Sequence, residues 1–276
     1  MAEATIGHQA PVIDFVAVKE KQQQTWGTGD YAQVGATLQI VGEHLAESLD
    51  LRAGQKVLDV AAGNGNFSMA AARRYTEVTS TDFVASLLEK SRIRALADGF
   101  DINYQLADAE NLPFTDASFD AAASIYGIMF TPNQQQSAAE IIRVVRPGGK
   151  IGMANWTPEG FIGRLFKTLG QYIPNPLPSP ALWGTPDHVH ALFGDQAEDI
   201  TTERRLFNFR YITTEAWLNN FKRVYGPVKN AFAALDEAGQ RNLQQDIVSL
   251  LNDLNVADDG TMVVPGEYLE IVVKKA

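Results

Sequence analysis

Between residues 51 and 156, short apolar runs rich in β-branched residues alternate with stretches whose apolar positions recur every three or four residues. That alternation is the pattern of βαβ units around a parallel sheet. Five runs predict strands: 55–61 (QKVLDVA), 77–82, 102–108, 121–127 and 150–156. Between the first two, the Ala-rich stretch 67–74 predicts a helix. Before the fifth, Ala138, Ile141, Ile142 and Val145 make an i, i+3, i+4, i+7 face, and Pro147-Gly148-Gly149 stops that helix. Upstream, Leu38, Val41, Leu45 and Leu49 form a helical stripe, and Leu51-Arg52-Ala53-Gly54 turns the chain into the first strand.

Downstream the pattern changes. Pro174, Pro176, Pro178, Pro180 and Pro186 exclude helix or central strand over 170–186 and predict a stiff irregular loop acting as a lid or cap. A strand is predicted over 200–211, a threonine-capped helix over 214–225, one long or two shorter helices over 227–254, and a final strand over 268–273. With no repeat and no clean linker, one domain carrying inserted helices is preferred to two independent ones. Its expected parts are an N-terminal segment and flap (1–36), a nucleotide-binding core (37–156), a proline-rich cap (157–199), and a C-terminal part (200–276). That last part completes the sheet and carries a helical insertion over 213–256 near the substrate pocket.

Composition narrows the function. A chain of 276 residues with 45% hydrophobic residues can bury a large α/β core. A net charge of −10 disfavours a nucleic-acid partner, whose phosphates are bound by Lys and Arg. Zero cysteines exclude thiolate metal sites, iron–sulfur clusters and a cysteine nucleophile, and no metal is expected. Residues 1–24 lack an export signal, and no apolar run approaches about 18 residues, so a cytoplasmic protein without a membrane span is expected.

The candidate chemistry lies where the predicted strands end. Val57-Leu58-Asp59-Val60-Ala61-Ala62-Gly63-Asn64-Gly65-Asn66 runs from strand to turn to helix, and glycines at 63 and 65 let backbone approach a ligand. A G-x-G turn is also compatible with a tight connection that binds nothing. Asp82 closes the second strand, where an acidic side chain can accept the two hydroxyls of a ribose, and Asp108 closes the third. Ligands of open parallel sheets sit beyond the carboxyl ends of the strands, so these features converge on one crevice. The dinucleotide fingerprint is broken by Ser68 at its third glycine. S-adenosylmethionine (SAM) carries no pyrophosphate and needs no such glycine.

The ordered segments VLDVAAGNGN, TDF, LADAENLPF with FDAAASIYG, and RVVRPGGKIGMANW resemble class I SAM-dependent methyltransferases, in particular the ubiquinone/menaquinone-biosynthesis and related small-molecule group. The resemblance implies a Rossmann-like, doubly wound, mostly parallel seven-stranded sheet with an antiparallel last strand. It implies that Gly63 and Gly65, beside Asp59 and Ala61, hold the methionine part of SAM, that Asp82 holds the ribose, and that Asp108 with the Ala109 amide holds the adenine. Phe83 would stack on the adenine, and backbone at Ser124 would meet the SAM amino group. Ala61 departs from the family, whose motif begins there with glycine. Trp26-Gly27-Thr28-Gly29-Asp30-Tyr31 is either a flap over the SAM carboxylate with Tyr31 as donor, or a surface turn with Trp26 packed on the core.

Methyl transfer from a sulfonium is an in-line displacement, in which the protein aligns the acceptor and excludes water. Trp26, Tyr126, Met129, Phe130, Trp156 and Trp183 are expected around a small, apolar or aromatic acceptor, and S-adenosylhomocysteine (SAH) is the expected product. A hydroxyl or carbon acceptor would pass its proton to His190 or Tyr126, whereas an amine needs no base. His8 is expected at a mobile end, His44 as a packed or solvated residue of its helix, and His188 and His190 otherwise as solvated side chains. Ser124-Ile125-Tyr126-Gly127 stands where an adenine-N6 methylase carries Asp/Asn-Pro-Pro-Tyr. Two rival functions share parts of this pattern: a SAM-binding regulatory or partner protein without catalysis, and an NAD-dependent oxidoreductase.

Overall fold

The computed structural model describes residues 13–276; His8 lies outside them. Eleven α-helices and seven strands follow one another among these residues. The chain opens with α1 (Phe15–Thr28), α2 (Tyr31–Gly35) and α3 (Gln39–Ser48), then β1 (Lys56–Val60), α4 (Asn66–Ala72), β2 (Glu77–Asp82), α5 (Ala85–Asp98) and β3 (Asn103–Leu106). It continues through β4 (Phe119–Ile125), α6 (Gln134–Val144), β5 (Val145–Trp156), α7 (Phe161–Tyr172), α8 (Pro186–Phe193) and β6 (Ala197–Tyr211). Helices α9 (Thr214–Val224), α10 (Gly226–Ala233) and α11 (Glu237–Leu254) precede β7 (Met262–Lys275).

The seven strands form one sheet in the order β3-β2-β1-β4-β5-β7-β6. The first five are parallel, and β7 inserts antiparallel between β5 and β6, as in Rossmann-like methyltransferase sheets. Strand order reverses between β1 and β4, so their carboxyl ends diverge and leave a crevice. Val57, Leu58 and Val60 are fully buried because helices cover both faces of β1, which explains why this strand is continuously apolar rather than alternating.

Local chemistry accounts for the helix starts. Asn133, Thr213 and Asp236 each accept a backbone N–H of the first turn of α6, α9 and α11, while Pro186 and Pro227 occupy first-turn positions of α8 and α10 where a missing N–H is harmless.

Three elements differ from the expectation. Strand β3 ends at Leu106, so Asp108 stands on the loop beyond it. Helix α6 ends at Val144, and Pro147-Gly148-Gly149 lies inside the long β5, where pairing with β4 skips from Val145 to Lys150 around Gly148 at φ +73°. Of 170–186, only 173–179 is irregular; α7 runs to Tyr172 and a 3₁₀ turn covers Pro180–Gly184. Among the described residues no helix is long and apolar enough to cross a membrane.

Candidate active site

Two acids at the ends of adjacent strands form the floor of the crevice. Asp59 of β1 is 1% exposed and accepts hydrogen bonds from the Ser68 amide (2.9 Å) and hydroxyl (2.6 Å), tying β1 to α4. Asp82 of β2 is 4% exposed and accepts from the Gly63 amide on one oxygen and the Val84 amide on the other, both at 2.8 Å. Burial pushes the Asp59 carboxyl up to about 7 and that of Asp82 up to about 6, against the bonds that favour their ionised forms. Neither carboxyl is in an ion pair among the described residues. Ser68, which breaks the dinucleotide fingerprint, thus has its own task as the Asp59 partner.

Above the floor opens a cavity of about 900 Å³, its mouth included. Of the expected cofactor residues, Tyr31, Asp59, Ala61, Gly63, Asp82, Phe83, Asp108 and Ala109 line it. Gly65 does not. It caps α4 at φ +81°, where an added Cβ would stand 3.0 Å from Ser91 Cβ, so its glycine serves the turn and the packing against α5. Ser124 is also absent from the lining; its hydroxyl accepts the Ile128 amide at 2.9 Å, and Ile125, Tyr126 and Gly127 reach the cavity instead.

Helix α1 covers the mouth. Lys19 bonds Asp108 at 2.6 Å and lies 3.2 Å from Glu110, Gln22 donates to the Phe130 carbonyl, and Gln23 donates to that of Phe83. None of its residues is fully buried; it rests on the core through these polar contacts and, near its end, through the half-buried Trp26 ring. Its far end is fixed more firmly. Asp30 N–H donates to the Val224 carbonyl at 3.0 Å, Asn230 to the Thr25 hydroxyl, and Lys229 to the Thr28 carbonyl. A Cβ on Gly29 or Gly226 would run into the backbone of the opposite segment. Lys19 and Gln22 had no signal in the sequence, because α1 carries no apolar stripe.

A second, smaller space, about 320 Å³ with its open mouth included, adjoins the first. Trp26, Tyr31, Tyr126 and Phe130 line both, and Trp156, Val34, Leu38, Ile162, Phe209, Phe221 and Tyr225 complete the second. Trp26 packs edge-on against Tyr31, Phe130 and Tyr225 with ring centres 4.9 to 5.7 Å apart. Met129 and Trp183 line neither. Met129 is fully buried in the turn after β4, and Trp183 packs edge-on against His188 and Phe193. The proline-rich segment therefore supports the sheet from elsewhere and does not wall either cavity.

Ala61 and Tyr126, at the tips of β1 and β4, both hold positive φ (+53° and +55°), a region that L side chains rarely adopt. Tyr126 lies flat on Trp156, ring centres 3.9 Å apart, and its buried hydroxyl has no hydrogen-bond partner. Burial raises its pKa well above 10, so at neutral pH it is a donor and not a base. His190 is exposed and lines neither cavity; His44 is exposed, the solvated of its two expected placements. His188 is not simply solvated: it is half-buried, 2.8 Å from Gln134 Oε1, and desolvation lowers its pKa.

With this geometry in hand, the comparisons are consistent. The family described as "Methyltransferase domain" matches residues 58–153. An uncharacterized protein of Mycobacterium tuberculosis is 37% identical over 272 residues, spanning 96% of this chain and 98% of its own length. The demethylmenaquinone methyltransferase of Deinococcus radiodurans is 34% identical over 123 residues, 43% of this chain and 51% of that one. The fold is similar to that of the YcgJ protein from Bacillus subtilis, with a TM-score of 0.61 at 18% identity over 85% of this chain and 98% of the other.

Proposed function

We propose that this chain, which carries a methyltransferase domain over residues 58–153 and is similar there to the menaquinone- and ubiquinone-biosynthesis methyltransferases, is a class I SAM-dependent methyltransferase whose larger cavity holds SAM and whose adjoining aromatic cavity holds a small, apolar or aromatic acceptor. The observation that carries this reading is the pair of buried acids without a cation, Asp59 and Asp82, facing one cavity. An uncompensated pair of this kind is expensive to bury and suits a ligand that brings positive charge of its own. Asp82, its two oxygens already oriented by backbone amides, would take the ribose hydroxyls; the Gly63 turn and Asp59 would face the methionine part. Phe83 and Ala109, with Asp108, would hold the base.

When bound, SAM supplies an electrophilic methyl group on a sulfonium. The chain's own residues have three tasks. Trp26, Tyr31, Tyr126 and Phe130 stand where the cavities meet, align what lies on either side and surround a developing or departing cation with ring faces. Helix α1 excludes water from the mouth. No side chain needs to become a nucleophile, and among the described residues no histidine lines either cavity.

Calorimetry with SAM, SAH and NADH tests the first half: SAM and SAH are expected to bind and NADH is not. Labelled SAM offered with phenols, amines and quinol-like compounds tests the second half. Silence across such a panel, with SAM still bound, favours a binding protein over an enzyme.

A further inference from the structure

The two edges of the sheet are built differently. Strand β3, at one edge, is four residues long, and a short edge strand is one way a protein keeps an open edge from pairing with another chain. Strand β6, at the other, runs for fifteen residues, about 50 Å of extended backbone, without a proline or a glycine. Its ladder with β7 is irregular only between Ala197 and Asp199. Outside that ladder no backbone N–H or C=O of β6 has a hydrogen-bond partner among the described residues. An edge this long presents a row of unpaired donors and acceptors to any strand that matches it.

Charge decides which strand matches. The first half of β6 holds Glu198, Asp199 and Glu203, and the second half holds Arg204, Arg205 and Arg210. A second β6 laid antiparallel against it sets each acidic half against a basic one, whereas a parallel copy sets like against like. With a two-fold axis through residue 204, Glu203 of one copy stands opposite Arg205 of the other and Glu198 near Arg210, each pair occurring twice. Arg204 faces its own copy on the axis, where each guanidinium is already held by Glu267 at 2.5 Å. An axis through residue 203 or 205 loses both matches and sets Glu203 or Arg205 against itself. Leu206, two residues from the axis and 62% exposed, adds apolar surface on the face that Arg204 occupies.

We propose that two copies of this chain dimerise through β6, joining their sheets edge to edge about a two-fold axis at Arg204. The dimer is held by main-chain hydrogen bonds along the strand, and the charge gradient of β6 fixes its direction and register. It is independent of what the cavities hold.

Sedimentation velocity of the full chain over a concentration series tests this, together with two charge reversals, Glu198→Arg and Arg210→Glu. Both side chains are exposed and neither lines a cavity, and circular dichroism reports that each variant is folded. The unaltered protein is expected at twice the 30.2 kDa of one chain. Each single variant turns two attractions across the axis into repulsions, so its dimer is expected to be at least about tenfold weaker. An equimolar mixture of the two variants is expected to restore the dimer, because a strand basic at both ends then meets one acidic at both. A 30.2 kDa species from the unaltered protein at every concentration up to about 0.1 mM overturns the proposal. So do single variants that dimerise as tightly as the unaltered protein, which would put the contact on another surface, and a mixture that stays monomeric.

Discussion

Ala61 and Gly127 meet across the switch point of the sheet: Ala61 Cβ lies 2.7 Å from the position that a Cβ on residue 127 would take, and the Ala61 carbonyl lies closer still. The methyl group of Ala61, where the resembling family carries glycine, is thus accommodated by the glycine facing it. The exchange has a direction. Gly127→Ala is expected to lower stability by about 1–3 kcal/mol through overpacking against backbone. Ala61→Gly, which removes a side chain from a positive-φ residue, is expected to stabilise by up to about 1 kcal/mol. Urea denaturation of both variants measures this, and opposite signs are the expected outcome.

Asp82→Asn is expected to weaken SAM binding by about 1–3 kcal/mol, since the amide end can no longer accept from either ligand or backbone. Isothermal titration reads the change. Affinity equal to that of the unaltered protein would remove Asp82 from the ribose site.

The two buried acids predict a pH dependence. Asp82 and Asp59 hold their protons up to about 6 and about 7, above the ordinary 3.8 of a free carboxyl. A cationic ligand is favoured by their ionised forms, so SAM affinity is expected to fall as pH drops from about 8 to about 5.5. Stability without ligand moves the other way. The folded chain binds more protons than the unfolded one between 3.8 and those raised values, so these groups stabilise most below the unfolded value. Their contribution is lost as pH rises through about 6 to 7. Melting temperature against pH, with and without SAM, separates the two slopes.

Lys19→Ala removes the contact that fastens α1 to Asp108 and Glu110. The ion pair is partly exposed, so the expected loss of stability is below about 1 kcal/mol. The effect should appear in kinetics: SAH release faster by up to roughly fivefold, approached in the unaltered protein by raising salt. Stopped-flow fluorescence of Trp26 follows it.

His190→Ala should leave methyl transfer unchanged, because the ring is exposed on α8 away from both cavities. A loss of more than tenfold in turnover by this variant would require the helix to move onto the site.

Strand ends and glycine turns were legible because they are written locally. The apolar run before Asp59, the positive-φ need at Gly63 and Gly65, and the acid closing β2 each follow from a few adjacent residues. Gly65 shows the limit of that reasoning: the turn requires its glycine whether or not a ligand touches it. The second cavity was less legible. Val34 with Leu38, Ile162, Phe209, and Phe221 with Tyr225 come from four stretches far apart in sequence, and each looks like core until the fold brings them together. Trp183 failed for the converse reason, a large aromatic that packs beneath a helix instead of facing a ligand. The helicity of α1 was hidden because its residues cover a polar mouth and only Trp26 packs on the core, which leaves no apolar stripe to read.

The tight crossing at Gly29 and Gly226 joins α1, which covers one cavity, to α9 and the turn between α9 and α10, which supply Phe221 and Tyr225 to the other. Because that crossing ties the two covers to each other, an opening of either is expected to move both, which would give turnover a sequence in time: donor first, acceptor next, spent nucleoside last. Initial-rate measurements would then show SAH competing with SAM but not with the acceptor, and release of the nucleoside, not methyl transfer, would set the pace of the cycle.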